Sequence, residues 1–304
     1  MQLLKSIPII FFTGFVLASC NDNIPQFHDT LSTGTIDISV DETFKPVIDE
    51  QLKVFDSSYP NAHINIHYKS ESECFKDYFN DSARLILVTR KLTDVEQKLA
   101  EQKKIYVRQL ALARDAIAVI VNRLSVDTLL GPSELKGILT GVYKKKYTVV
   151  FDNTSSSTVH FIVDSVLKGQ PLGSNVFAAK GNKEVVEYVQ KNPDAIGFVG
   201  LGYISDTTDP SNSGRFINTV KVVALQNDTN LQFYQPYQAY VAQKLYPLTR
   251  KLYYINHESH LGLGTGFINF LSSGRGQLIF AHAYLFPLQM EVIIREAKIN
   301  SEQQ

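Results

Sequence analysis

Val149-Val-Phe-Asp-Asn-Thr-Ser-Ser-Ser-Thr158 packs a strand and a turn into ten residues. Its first three residues are β-branched or aromatic, as in a short buried strand. The next seven are polar and hydroxyl-rich. Val159, Ile162, Val163, Val166 and Leu167 then recur on one helical face until Gly169 ends the pattern. A strand, a hydroxyl-rich turn and a helix in succession are the building unit of an α/β protein.

The same unit repeats on both sides. Ile36, Ile38 and Val40 alternate with polar residues, and Asp41-Glu-Thr43 then opens a helical pattern through Phe44, Val47, Ile48, Leu52 and Phe55. Further strands are expected at Ile64 to Lys69, Arg84 to Thr89, Ala116 to Val121, Ile196 to Gly200 and Val220 to Leu225. Helices are expected at Cys74 to Asn80, Asp94 to Lys103, Pro132 to Leu139 and Lys183 to Lys191, the last with Asn182 as its cap. Alternation of this kind predicts largely parallel sheets.

The 304 residues carry 30 Lys+Arg and 30 Asp+Glu, are 44% hydrophobic and include two cysteines and no tryptophan. A chain of this size can bury a sizeable core in one large or two ordinary domains. Zero net charge with interleaved signs gives no broad footprint for nucleic acid, so a bound anion must be held locally. Two cysteines cannot build a disulfide framework or a Cys-rich zinc site.

The N-terminus reads as Lys5, an apolar run from Ile7 to Val16, and Leu17-Ala-Ser-Cys20. That run is shorter than the ~20 residues needed to span a bilayer and has the layout of a secretory signal. The boundaries read as a signal peptide at 1–19 and a polar tether at 20–34, with Cys20 resembling the lipid-bearing cysteine of a bacterial lipoprotein.

Helix starts leave backbone N–H groups unpaired and partly positive, so hydroxyl-rich turns before helices can hold anions; plain N-capping is their commoner use. Ser156-Ser157-Thr158 and Thr43 are the candidates. Enzyme signatures are weak. His257-Glu-Ser-His260 lacks the spacing of a zinc-protease helix, and there is no nucleophile elbow, Walker loop or dinucleotide fingerprint. No catalytic residue, metal or cofactor is expected.

Several motifs together resemble the phosphate-binding proteins of phosphate-specific ABC transporters, most closely a divergent lipoprotein branch of Bacteroidetes-like bacteria. They are Val149 to Thr158, Asn192-Pro-Asp-Ala-Ile-Gly-Phe-Val-Gly200, Tyr234-Gln-Pro-Tyr-Gln-Ala-Tyr240, and Tyr246-Pro-Leu-Thr249 through Gly262-Leu-Gly-Thr-Gly-Phe267 to Gln277. The resemblance implies a type II periplasmic-binding-protein fold: two α/β lobes, 35–112 plus 226–298 and 113–225, closing on a ligand cleft. It implies a lipoprotein outside the cytoplasm that hands phosphate, or a similar oxyanion, to an ABC permease. The alternative is a sensory or interaction lipoprotein of the same fold.

Carried over by motif, Thr43 falls on the family's first hydroxyl ligand, Ser70 lies near the second, and Ser156, Ser157 and Thr158 match its Ser-Gly-Thr turn. The charged positions depart from the pattern. Thr89 stands where the family has the Asp that accepts the ligand's proton, with Arg90 next to it, and Asp152 stands where the family has its Arg. The expectation is a swap, with Arg90 as the cation and Asp152 as the proton acceptor. Glu42, Glu71 and Glu73 crowd the same edge, and two of them facing inward would disfavour a dianion.

Overall fold

The structure is a computed structural model that describes residues 28–206 and 215–291. The signal segment, Cys20 and most of the expected tether lie outside the described residues. Asp29 does not behave as tether: it is buried and accepts hydrogen bonds from Arg84 and the Leu263 N–H.

The chain alternates as expected. In the first half come β1 (Gly34–Asp41), α1 (Lys45–Ser58), β2 (Ala62–Lys69), α2 (Glu71–Phe79), β3 (Leu85–Val88) and α3 (Asp94–Gln102). β1 pairs in parallel with β2 and β3. β4 (Arg108–Asn122) then runs for 15 residues and is the spine of the molecule. Its residues from Ala116 to Val121 are fully buried, which is why they read as an unbroken apolar run.

The second half holds β5 (Leu129–Leu130), α4 (Pro132–Thr140), β6 (Thr148–Phe151), α5 (Ser157–Phe161), β7 (Val176–Ala178), α6 (Asn182–Lys191) and β8 (Ala195–Gly200). α5 continues through a widened turn, Ile162–Val166. From residue 215 on come β9 (Val220–Val222), β10 (Ala224–Gln226), β11 (Phe233–Tyr234) and α7 (Gln238–Ala242), then β12 (Thr249–Asn256), α8 (Leu263–Ser272), α9 (Gly274–His282) and β13 (Phe286–Pro287).

The main sheet has the order β2-β1-β3-β12-β4-β8-β6-β7. The near half of β4 pairs antiparallel with β12 and the far half with β8, so one strand belongs to both halves. The chain crosses back beside the first crossing. Ile117 N–H donates to Leu248 O at 2.9 Å, and the Tyr246 hydroxyl donates to Ile117 O at 2.9 Å. The lobe boundary expected from the sequence, 225/226, lies within β10. Val220–Val222 pairs with β4, Ala224–Gln226 pairs with β5, and Val241, Tyr246 and Leu248 belong to the second half's core. Two short strands in a row look like a crossover when their partners are not visible.

Candidate functional site

The carboxyl ends of β1 and β6 face each other across the junction of the two halves, where ligands of open α/β sheets usually sit. Gly200 closes the floor. A Cβ there would lie 2.3 Å from Thr43 Cγ2, so only glycine lets the two halves approach this closely.

At this junction the hydroxyls of Thr43, Ser157 and Thr158 are buried together, with Thr43 Oγ1 and Ser157 Oγ 3.5 Å apart. Ser156 serves as cap: its Oγ accepts from Val159 N–H at 3.2 Å. The positive charge comes from a residue that the sequence reading missed. Arg250, near the start of β12, is the one buried arginine or lysine among the described residues. Its Nε donates to Asp115 Oδ2 at 2.9 Å, and its Nη1 donates to Ser157 Oγ at 2.9 Å and Thr158 Oγ1 at 3.4 Å. Its Nη2 has no partner. A signal was available: Arg250 shares strand parity with the buried Leu252, and an arginine on the apolar side of a strand seldom lacks a task.

Carboxylates surround this cation. Asp41 ends β1, and its Oδ1 accepts from Thr43 N–H at 3.0 Å while Oδ2 is unpartnered. Burial, then the charge of Glu71, pushes the Asp41 carboxyl up to about 7, although Arg250 opposes the shift. Burial also raises Asp152 and Asp115 above the ordinary range. Asp152 Oδ2 accepts from Asn182 Nδ2 at 3.0 Å, and Oδ1 is unpartnered.

Asn182 is not the cap that the sequence suggests. It is the first residue of α6, and its amide joins Asp152 to Glu42 Oε2 (2.7 Å) while its Oδ1 accepts from Gly200 N–H (3.0 Å). Glu42 also accepts from the Tyr203 hydroxyl at 2.5 Å, tying the halves together.

The remaining expected residues have other attachments. The Ser70 hydroxyl donates to Glu73 Oε2 at 2.6 Å in a capping box. Thr89 gives both its N–H and hydroxyl to Glu71 Oε1, at 2.7 and 2.6 Å. Burial works against the Glu71 charge, but His160, Thr89 and Arg90 hold its carboxyl below the usual range. Arg90 itself is gripped by Glu96 in a two-pronged pair at 2.7 and 2.9 Å and lies 3.7 Å over the Phe75 ring. It forms no hydrogen bond to Asp152 or to the hydroxyl cluster, so the charge swap read from the sequence does not appear as a contact.

Beside the cluster lies a cavity of about 180 Å³ whose wall includes Asp41, Glu42, Glu73 and Asp152, with Lys69 and Lys180. Among the described residues no group of three or more His, Cys, Asp or Glu is placed to hold a metal, and no helix is long and apolar enough to cross a membrane.

The model of a PBP superfamily domain matches residues 26–275, most of the chain. The chain belongs to the PBP superfamily. Among its relatives, Phosphate-binding protein PstS of Pseudomonas aeruginosa is 26% identical over 266 residues, covering 79% of each chain. Its namesake in Staphylococcus aureus is 22% identical over 71% of this chain and 67% of its own. Among solved structures, an ABC transporter substrate-binding protein from Clostridium perfringens with bound phosphate superposes with a TM-score of 0.70 at 22% identity, over 84% of this chain and all of that one. An ABC-type phosphate transport receptor from Vibrio cholerae gives 0.64 at 18% identity over 84% of this chain and all of that one. These likenesses place the chain in the two-lobed binding-protein fold.

Proposed function

We propose that this PBP superfamily member captures inorganic phosphate between two lobes, about 35–116 with 249–291 and about 117–248, and delivers it to an ABC permease. One observation carries the reading: a buried guanidinium with a free Nη2 stands among the Thr43, Ser157 and Thr158 hydroxyls where the lobes meet. A planar fork of donors in a dry site suits an oxyanion, and hydroxyls there can turn to serve it. The cation is Arg250, with Arg90 outside the site; Ser156 and Ser70 shape the turns beside it. The named relatives support phosphate as the ligand. Binding with release, and no bond-making by the protein, is the activity that such a cluster serves. The Leu-Ala-Ser-Cys20 motif supports cleavage before Cys20 and a lipid anchor that holds the domain outside the cytoplasmic membrane.

Glu42 favours a second reading. It reaches across the cleft to Asn182 and Tyr203, so protein contacts alone tie the lobes together, as would suit a sensory or interaction lipoprotein. Calorimetry of the purified chain titrated with phosphate, arsenate and sulfate decides between them. Heat with phosphate and arsenate is expected. None with phosphate at any pH would remove the transport reading and leave the second.

A further inference from the structure

Three buried polar atoms in the cluster lack partners: Asp41 Oδ2, Asp152 Oδ1 and Arg250 Nη2. Asp41 comes from the first lobe, at the end of β1, and Asp152 from the second, just past β6. Both line the same cavity, and the charge of Arg250 acts on both. A guanidinium can only donate, whereas an ionised carboxylate can only accept. Any oxygen of a bound oxyanion satisfies Nη2. Ser157 and Ser156 are the hydroxyls nearest Asp41 and Asp152, and once they turn toward the anion each carboxylate oxygen is met by a proton lying between it and the anion. A fully deprotonated anion would leave both unmet in a dry site, the costly condition for a buried polar group.

We infer that the site takes its anion as a doubly protonated unit, with one proton shared with Asp41 and one with Asp152, so that the form it captures at neutral pH and above is dihydrogen phosphate. This deepens the phosphate reading and rests on it. It also differs from the single carboxylate that the sequence resemblance implied, because Thr89, at that position, is committed to Glu71.

The surroundings make such protons cheap. Asp41 faces Glu71 and Cys74 from α2, Ser157 from α5 and Arg250 from β12. Asp152 faces Ser156 and Asn153 of its own turn, Asn182 from α6, Glu42 from the turn after β1, and Arg250. Tyr203 lies against Glu42 and feels both Asp41 and Asp152. Glu73 with Lys69 and Lys180 completes the charged wall. Along the cavity wall Asp41, Glu42, Glu73 and Asp152 outnumber Lys69 and Lys180, so a second negative charge on the ligand is penalised.

The test is calorimetry of the purified full chain with inorganic phosphate from about pH 6 to about pH 9, in buffers of different ionisation heat. Above neutrality free phosphate carries one proton, so the complex must take up another. The expected result is an affinity that falls about tenfold per pH unit there, with about one proton taken up per phosphate bound. A flat affinity with no proton uptake overturns the inference while phosphate binding stands; no phosphate heat at any pH removes the underlying reading as well. The double variant Asp41→Asn with Asp152→Asn replaces two acceptors with amides that can donate. It should bind phosphate with a flattened pH profile and admit sulfate, and a slope like that of the native chain would overturn the assignment to these two residues.

Discussion

Two helix starts in this molecule look alike in sequence and are finished in opposite ways. α8 is approached by Gly262-Leu-Gly-Thr-Gly266, and the protein supplies its own anions there. Glu258 Oε1 accepts from Gly264 N–H at 2.9 Å, Glu258 Oε2 from Thr265 N–H at 2.7 Å, and Asp29 Oδ2 from Leu263 N–H at 2.7 Å. The glycine at 264 is required by this fit, since a Cβ would come within 2.8 Å of Glu258 Oε1. At the α5 turn no carboxylate among the described residues takes the backbone N–H groups of Ser157 and Thr158, and Asp41 lies beside the Ser157 hydroxyl. The Ser157 and Thr158 hydroxyls meet a guanidinium, and one of its nitrogens is left open. A helix start attracts anions by its backbone dipole. Whether it binds a ligand depends on whether the chain has already filled it.

The largest effect that would break this comparison is at Arg250. Arg250→Met should abolish phosphate binding and destabilise the fold by about 3–5 kcal/mol, because Asp115 is left buried without its cation. Calorimetry reads the first and urea unfolding the second. Phosphate binding that survives in a folded Arg250→Met protein would mean that the open nitrogen is not the ligand's partner.

The two places should also respond oppositely to pH. The folded Asp41 carboxyl sits at about 7, above its ordinary 3.8, so the folded state holds that proton more tightly. Its contribution to stability is complete below the ordinary value and is lost as pH rises through about 7, on the order of a few kcal/mol. Asp29 runs the other way. Burial works against its charge, but Leu263 N–H, Arg84 and His260 hold it below the ordinary range. Its contribution is present above that range and is lost as pH falls through the folded value. Urea midpoints from acid to neutral pH should therefore show a decline toward neutrality that Asp41→Asn removes. An unchanged decline in that variant would place its source elsewhere.

A smaller effect is expected at the filled end. Glu258→Gln keeps the shape but exchanges one acceptor oxygen for a donor beside backbone N–H groups. It should cost about 1–3 kcal/mol in chemical unfolding while leaving phosphate affinity unchanged. A change in affinity would tie α8 to the ligand and dissolve the contrast.

Periodicity made the order of strands and helices legible, because α1, α2 and α6 each bury one face, β1 opens on an alternation and β8 is a short run buried throughout. The hydroxyl turn at 156–158 was legible for the same reason: it lies between a strand and a helix whose patterns are plain. Partnership was not legible. β9 and β10 gave no sign that they pair with β4 and β5, so nothing local marked where the chain returns. Arg250 lies 92 residues from Thr158 along the chain, and Asn182 lies 140 from Glu42. Such contacts are set by how sheets stack, which local spacing does not encode. Asp41 shows the same limit: on β1 it shares parity with Asp37 and Ser39, a polar row in which Asp37 is exposed while Ser39 and Asp41 are buried.

The smallest expected effect bears on the charge that the sequence did suggest. Arg90 stands next to the position where the family has its Asp, and its partners lie outside the hydroxyl cluster. Glu96 engages it through both oxygens, Phe75 lies under its plane, and about two-fifths of its side chain remains exposed. Half-exposed ion pairs contribute about 0–1 kcal/mol. Arg90→Ala should therefore shift the urea midpoint little and leave the phosphate affinity as it was, matching Lys91→Ala as a control. Its influence on the site is indirect, through the field it exerts on Glu71. Loss of binding in Arg90→Ala but not in Lys91→Ala would restore the charge swap and demote Arg250 to a structural ion pair with Asp115.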